Sequence, residues 1–207
     1  MNPLTAPLLA QSVGCDVSRA IAWLPFIAET IDVYGISVNR QRLAAFLAQI
    51  GHESEGLRYT TELWGPTPAQ VTYERDFNED WPPPPLVQGD RNFKAFHLGN
   101  VNAGDGKLYR GHGLMQNTGH SNHVLMRDKL RARFGPKVPD FELEPARLGF
   151  FRWAALAAGQ FWDDNKLNDM ADGNDFKSMT IRINGGLTGY ADRLARLEAA
   201  NTTLSWA

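Results

Sequence analysis

Phe150, Trp153, Ala154, Ala157, Ala158 and Phe161 recur at steps of 3, 1, 3, 1 and 3. That is the repeat of one helical face, and it is the strongest periodic signal in the chain. The alanines within the stripe let a second helix approach closely. Any fold for this sequence must bury this helix in its core and pack other helices around it.

A second stripe, Leu43, Phe46, Leu47 and Ile50, falls at i, i+3, i+4 and i+7 and defines another helix, with Ser37 or Asn39 placed to cap it. Residues 17–34 read as a further helix, with Ile21, Leu24, Phe26 and Ile27 as its core residues. Pro25 is expected to kink or divide it, and Gly35 to end it. Residues 176–183 are helical up to Asn184-Gly185-Gly186, and residues 189–200 form a last helix. Asn168–Asp175 reads as a polar turn between helices. The fold class is therefore mainly α.

Between Trp64 and Gly106 the periodicity fails. Pro66, Pro68 and the run Pro82–Pro85 lie here, and four prolines in a row favour an extended path and forbid a central strand. Short helices are expected near Pro68–Tyr73 and over residues 91–98. Loops this long inside a compact domain are usually functional. The expectation is one domain over residues 1–207, with a larger helical lobe (1–63 and 107–207) and a smaller, loop-rich lobe (64–106) flanking a cleft. The plainer reading of 64–106 is a surface insertion.

Composition excludes several classes. The 207 residues carry a formal net charge of −2, so no global basic field points to nucleic acid. The single cysteine, Cys15, rules out an intrachain disulfide and suits a reducing cytosol. It reads as a small buried apolar residue rather than a nucleophile. The segment MNPLTAPLLAQSVGCDVS lacks a basic n-region, and no apolar stretch reaches spanning length. Neither a secretion signal nor membrane insertion is expected.

Two glutamates carry the chemistry. Glu53 follows Ile50 by three residues, so at about 100° per residue it projects from the same apolar stripe. Partial burial there, at a helix C-terminus, disfavours the charged form and suits a proton donor. The alternative is a helix-terminal Glu turned out to water. Glu62 follows nine residues later. Gly56 can end the helix, and the β-prone run Tyr59, Thr60, Thr61 can turn the chain back so that Glu62 faces Glu53. Glu55, Glu74 and Glu79 remain rival partners.

The segment 104–123, GDGKLYRGHGLMQNTGHSNH, is rich in glycine but lacks the ending of a phosphate loop. His112, His120 and His123 read as a surface-polar cluster, because no carboxylate or cysteine completes a metal ligand set at a recognised spacing. Gln116, Thr118 and Asn122 are short donors and acceptors suited to hydroxyl and acetamido groups or a water. Thr118 can equally cap a helix beginning near Gly119 or His120.

Five stretches together resemble family 19 glycoside hydrolases, which include plant-type chitinases and many phage endolysins. They are FLAQIGHES (46–54), TELWGPT (61–67), GDGKLYRGHGLMQNTG (104–119), FFRWAALAAGQFW (150–162) and INGGLTGYADR (183–193). They stand in the family's order, and the layout is most similar to phage and prophage endolysins. The resemblance implies a lysozyme-like helical domain and an inverting reaction that needs no cofactor and no metal. It implies Glu53 as general acid, Glu62 as general base at the spacing of bacterial and phage members, and Thr118 as a holder of the attacking water. Gln116, Asn122 and Asn184 match residues lining a sugar cleft, and Arg193 matches a cleft arginine paired with acidic groups; Tyr109 joins them as an expected sugar contact. An inverting pair should stand roughly 6.5–9.5 Å apart.

This sequence departs from the family pattern at His112, where Arg is usual, and at Asn117, where an apolar residue is usual; Ser121 stands where Ala or Tyr is often found. The expected substrate is peptidoglycan, cut between N-acetylmuramic acid and N-acetylglucosamine to lyse a host cell. The expected protein is a monomeric endolysin held in the bacterial cytoplasm until its release to the wall. A chitinase, or a glycan-binding protein without activity, are the alternatives.

Overall fold

A computed structural model of the protein describes residues 4–82 and 92–204. Of the proline run, Pro83, Pro84 and Pro85 lie outside the described residues, as does Arg91. The helices α1 (Ala6–Val13), α2 (Val17–Val33) and α3 (Arg40–Glu53) come first. Three short helices follow, α4 (Pro68–Val71), α5 (Phe93–Leu98) and α6 (Asp105–Leu108), and then the longer α7 (His120–Phe134). The rest are α8 (Phe151–Asp164), α9 (Leu167–Asp172), α10 (Phe176–Asn184) and α11 (Tyr190–Thr203). Helix makes up 62% of the described residues, and among them there are no strands, so the mainly α, lysozyme-like expectation holds. Among the described residues no helix is long and apolar enough to cross a membrane.

The chain divides into two compact units, Met1–Tyr59 with Phe151–Ala207, and Thr60–Phe150. The stretch 64–106 falls wholly inside the second unit.

In the first unit α3 is the central element. Asn39 caps it by accepting from the Arg42 amide at 2.9 Å, and every residue from Leu43 to Gly51 is buried. α11 and α1 pack against it, while α2 packs on α8. Small residues set the approaches: a side chain at Gly51 would meet the Val13 backbone, and one at Gly159 would overlap the Tyr34 ring and Thr30. α8 is buried continuously from Ala154 to Gln160 rather than on one stripe, and Trp162 meets Phe46 edge-on at 5.3 Å. Phe150, expected in its core, precedes the helix and is 58% exposed.

The inward face of α2 also differs from expectation. Ala20, Trp23, Ile27, Thr30 and Ile31 are buried, while Ile21 is 61% exposed and Leu24 and Phe26 are half-buried. Trp23 sets this rotation, because its Nε1 donates to the Leu57 carbonyl at 3.1 Å and its ring stacks on Phe151 at 4.4 Å. Pro25 does not divide the helix. The carbonyl it leaves unbonded belongs to exposed Ile21, where water can reach it. Asn168–Asp175 is not simply a turn: α9 occupies most of it, with Leu167 and Ala171 buried. Asn168 accepts from Trp162 Nε1 and donates to the Tyr34 carbonyl, each at 2.9 Å.

In the second unit the run Thr60–Glu62 pairs with the glycine-rich segment. Isolated antiparallel bridges join Thr61 to His112 and His112 to Asn117. α7 follows, burying only His123, Met126 and Leu130.

Candidate active-site residues

Glu53 is the last residue of α3, and the chain turns sharply after it. Ser54 Oγ donates to the Ile50 carbonyl at 2.6 Å and accepts from the Leu57 amide at 2.8 Å. Glu55, Gly56 and Leu57 then all take positive φ, at 48°, 68° and 61°. A side chain on Gly56 would run into the Gly14 carbonyl, so glycine is required there.

The carboxyl of Glu53 is 19% exposed and faces the guanidinium of Arg193 on α11, itself 1% exposed. Arg193 also donates to Gln49 Oε1; Gln49 Nε2 donates to Thr180 Oγ1 at 3.1 Å, and Thr180 donates to the Phe176 carbonyl at 3.0 Å. Arg193 thus heads two donations, one through Gln49 on α3 to Thr180 on α10 and one to Oε1 of Glu53. Among the described residues Oε2 of Glu53 has no hydrogen-bond partner. The carboxyl is neither turned out to water nor left alone on the apolar stripe: it is paired, which offsets the cost of its burial.

The residue before it repeats the pattern with the acidic residue on the other helix. His52 Nδ1 lies 2.7 Å from Asp192 Oδ2, which also accepts from Arg196 Nε at 2.7 Å. Burial pushes the Asp192 carboxyl up, but these two partners hold it below the usual range. Gly189 lies against the His52 ring where no side chain fits. Asn184, at the end of α10, is exposed, and its Nδ2 donates to the Thr188 carbonyl at 3.4 Å.

The second unit holds Glu62, which is met by donors on several sides. Oε1 accepts from Gln70 Nε2 at 2.9 Å, and Oε2 from the Gly111 amide at 3.0 Å. The Tyr73 phenol is also close enough to feel this carboxyl: burial, and then the Glu62 charge, push the phenol above its ordinary range. The Glu62 amide returns a bond to the Gly111 carbonyl at 2.8 Å. A carboxylate offers about four lone-pair positions. Two are filled, by Gln70 and the Gly111 amide, which leaves room for a water.

Gly111 is also where Gln116 and Thr118 converge. A side chain on it would overlap Gln116 Oε1 and come within 3.3 Å of Thr118 Oγ1. Thr118 donates to the Gln116 carbonyl at 3.1 Å, and α7 starts at Gly119 with no side-chain cap, so Thr118 does not cap it. Gln116 Oε1 is buried without a partner. Asn122, exposed on α7, donates to the Thr118 carbonyl at 2.6 Å. Glu62, Gln116, Thr118 and Asn122 thus share one neighbourhood. Tyr109 and Arg193 are turned inward instead: Tyr109 is 6% exposed, and its hydroxyl donates to the Glu142 carbonyl at 2.9 Å.

His112 and His123 do not form the surface cluster expected of them. Both are buried, with His112 Nδ1 lying 3.0 Å from His123 Nε2 and His123 Nδ1 lying 2.8 Å from the Gly119 carbonyl. A carbonyl can only accept, so His123 carries its proton on Nδ1 and its Nε2 accepts from His112. Burial pushes both imidazoles down, His112 to about 3 and His123 to about 4; the neighbouring His123 and Arg110 add to the fall at His112, and His120 to that at His123. Folded pKa values below the ordinary 6.5 mean that the unfolded chain binds protons the folded one refuses. Stability should be complete above about pH 6.5 and fall towards pH 4, by up to roughly 1.4 kcal/mol per pH unit for each histidine. Urea midpoints at pH 7 and pH 5 check this, and equal midpoints would contradict it.

No family model matches the chain. A protein of Haemophilus influenzae described as "Glycosyl hydrolase family 19 domain-containing protein" is 31% identical over 179 residues, which span 80% of this chain and 82% of that protein.

Proposed function

Because the chain belongs to glycosyl hydrolase family 19, we propose that it is an endolysin that cleaves the β-1,4 bond between N-acetylmuramic acid and N-acetylglucosamine in peptidoglycan. The observation that carries the reaction is the contrast between its two glutamates. Glu53 has one oxygen on a buried cation and the other free of protein partners. Glu62 accepts from two neutral amide donors, one on each oxygen. In the inverting scheme Glu53 delivers a proton from Oε2 to the glycosidic oxygen, while Glu62 takes one from a water on the opposite ring face. The nine-residue interval between the two, that of bacterial and phage members, supports a bacterial glycan as substrate.

Thr118 completes the water site in this scheme. Its own proton is engaged by the Gln116 carbonyl, so Oγ1 accepts. A water giving one proton to Glu62 and directing the other at Thr118 presents its lone pair to the anomeric carbon. Gln116 Oε1, with no protein partner, is free to accept from the sugar. Thr118→Val is expected to slow turnover about tenfold to a hundredfold, equivalent to about 1.4–2.7 kcal/mol. Thr118→Ser should keep most of the rate. Turnover and melting temperature measured on both variants decide the matter, and a normal rate for the folded Val variant ends the claim.

The substrate is tested by digesting purified peptidoglycan and reducing the new ends. Muramitol is expected. Glucosaminitol would move the cut to the other bond, and release from chitin alone would make the enzyme a chitinase.

A further inference from the structure

Gln70, which no motif singles out, lies beside Glu62 and is 3% exposed. Its Oε1 accepts from the amides of Gly65 at 3.2 Å and Thr67 at 2.8 Å. Its Nε2 donates to the Leu63 carbonyl at 2.8 Å and to Glu62 Oε1 at 2.9 Å. A carboxamide has two donor hydrogens and two lone pairs, and here all four are used. Flipping the amide would set donors against donors and acceptors against acceptors, so its orientation is fixed. Thr67 Oγ1 accepts from the Gln70 amide at 3.2 Å, which completes a capping box at the start of α4. Segment 62–67 is wrapped around this one side chain.

A capping box accepts Glu or Gln equally in this position, because only the side-chain oxygen takes part. Capping therefore does not explain why the residue is Gln. The Nε2 hydrogens do: one of them reaches the carboxylate. We propose that Gln70 is a positioning residue for the reaction, one that fixes the rotamer of Glu62 and keeps its carboxylate ready to accept a proton from water. This rests on the reading of Glu62 as the base. The other charged or titratable groups about Glu62 are Tyr73; Arg110, whose Nε donates to the Glu62 carbonyl at 3.1 Å; and His112, beside Gly111. The phenol is pushed up and His112 is down at about 3, so between about pH 4 and 8 neither changes charge.

Gln70→Glu separates the two roles. It keeps an oxygen for the Gly65 and Thr67 amides and sets the other against Glu62, so that two carboxylates share one site. The expected result is a folded variant with a lowered melting temperature, because two carboxylates now meet and the Leu63 carbonyl loses its donor, with the acid limb of the kcat profile moved up by about one pH unit or more and a KM little changed. An acid limb that stays in place in a folded variant overturns the proposal, because a purely structural role lowers the melting temperature and leaves the limb alone. The double variant Glu62→Gln, Gln70→Glu covers poor folding of the single one. It restores one donor and one acceptor with their ends exchanged, so it should melt above Gln70→Glu; no recovery overturns the contact. Glu62→Ala is assayed alongside. If that variant keeps the normal rate, the base assignment fails, while recovery in the double variant still reports the contact between residues 62 and 70.

Discussion

Replacing Glu53 by glutamine is expected to cut turnover at least about a hundredfold while the protein stays folded. Proton donation by a placed acid contributes about 10²–10⁴ in rate, and an amide cannot supply it. The fold should survive because Gln keeps an oxygen for Arg193, and its nitrogen would stand where Oε2 has no protein partner. Alanine is a poorer test. It would leave the Arg193 guanidinium, 1% exposed, with no anion, and stranding a buried charge costs about 3–5 kcal/mol. Initial rates on the natural glycan and circular-dichroism melting of Glu53→Gln give the answer. A folded variant with more than a few per cent of the normal rate would remove Glu53 from the role of acid.

The second large effect is expected at Glu62, and Glu74 is its control. Glu62→Ala should lower the rate by about 10²–10⁴, the contribution of a general base. Glu74 is one of the rival partners that the sequence leaves open. Its carboxyl is engaged elsewhere: one oxygen accepts from the Gly104 amide at 3.1 Å and the other from the Lys107 amide at 3.0 Å, both at the start of α6. Glu74→Ala should therefore cost about 1–3 kcal/mol of stability and leave the turnover of folded enzyme near normal. Equal losses of rate in the two variants would move the base.

What could be read from sequence follows from what periodicity encodes. α3 and Glu53 were legible because an apolar stripe led directly to a carboxyl at helical spacing. α7 was not, because its buried face is His123, Met126 and Leu130 among charged neighbours, and one of the three is a histidine. α9 was hidden for a similar reason: its polar residues read as a turn, while Leu167 and Ala171 turn inward. Rotations about an axis were misjudged where one anchor decides them. Trp23 turns α2 by reaching the Leu57 carbonyl, and no local pattern announces that bond. The amides were least legible. Gln49 and Gln70 look like ordinary polar residues, and only the tertiary fold shows that one accepts from Arg193 and the other donates to Glu62.

The neighbouring pairs between α3 and α11 also govern assembly. His52 meets Asp192 and Glu53 meets Arg193, so basic and acidic residues alternate in opposite senses along the two helices. Turning α11 by one residue would bring Asp192 to the place of Arg193 and set carboxylate against carboxylate. Two apolar helices can slide past one another at little cost, but such a slip here would set like charges together. The groups that hold the Glu53 carboxyl therefore act as a registration mark, rejecting misaligned packings while the chain folds.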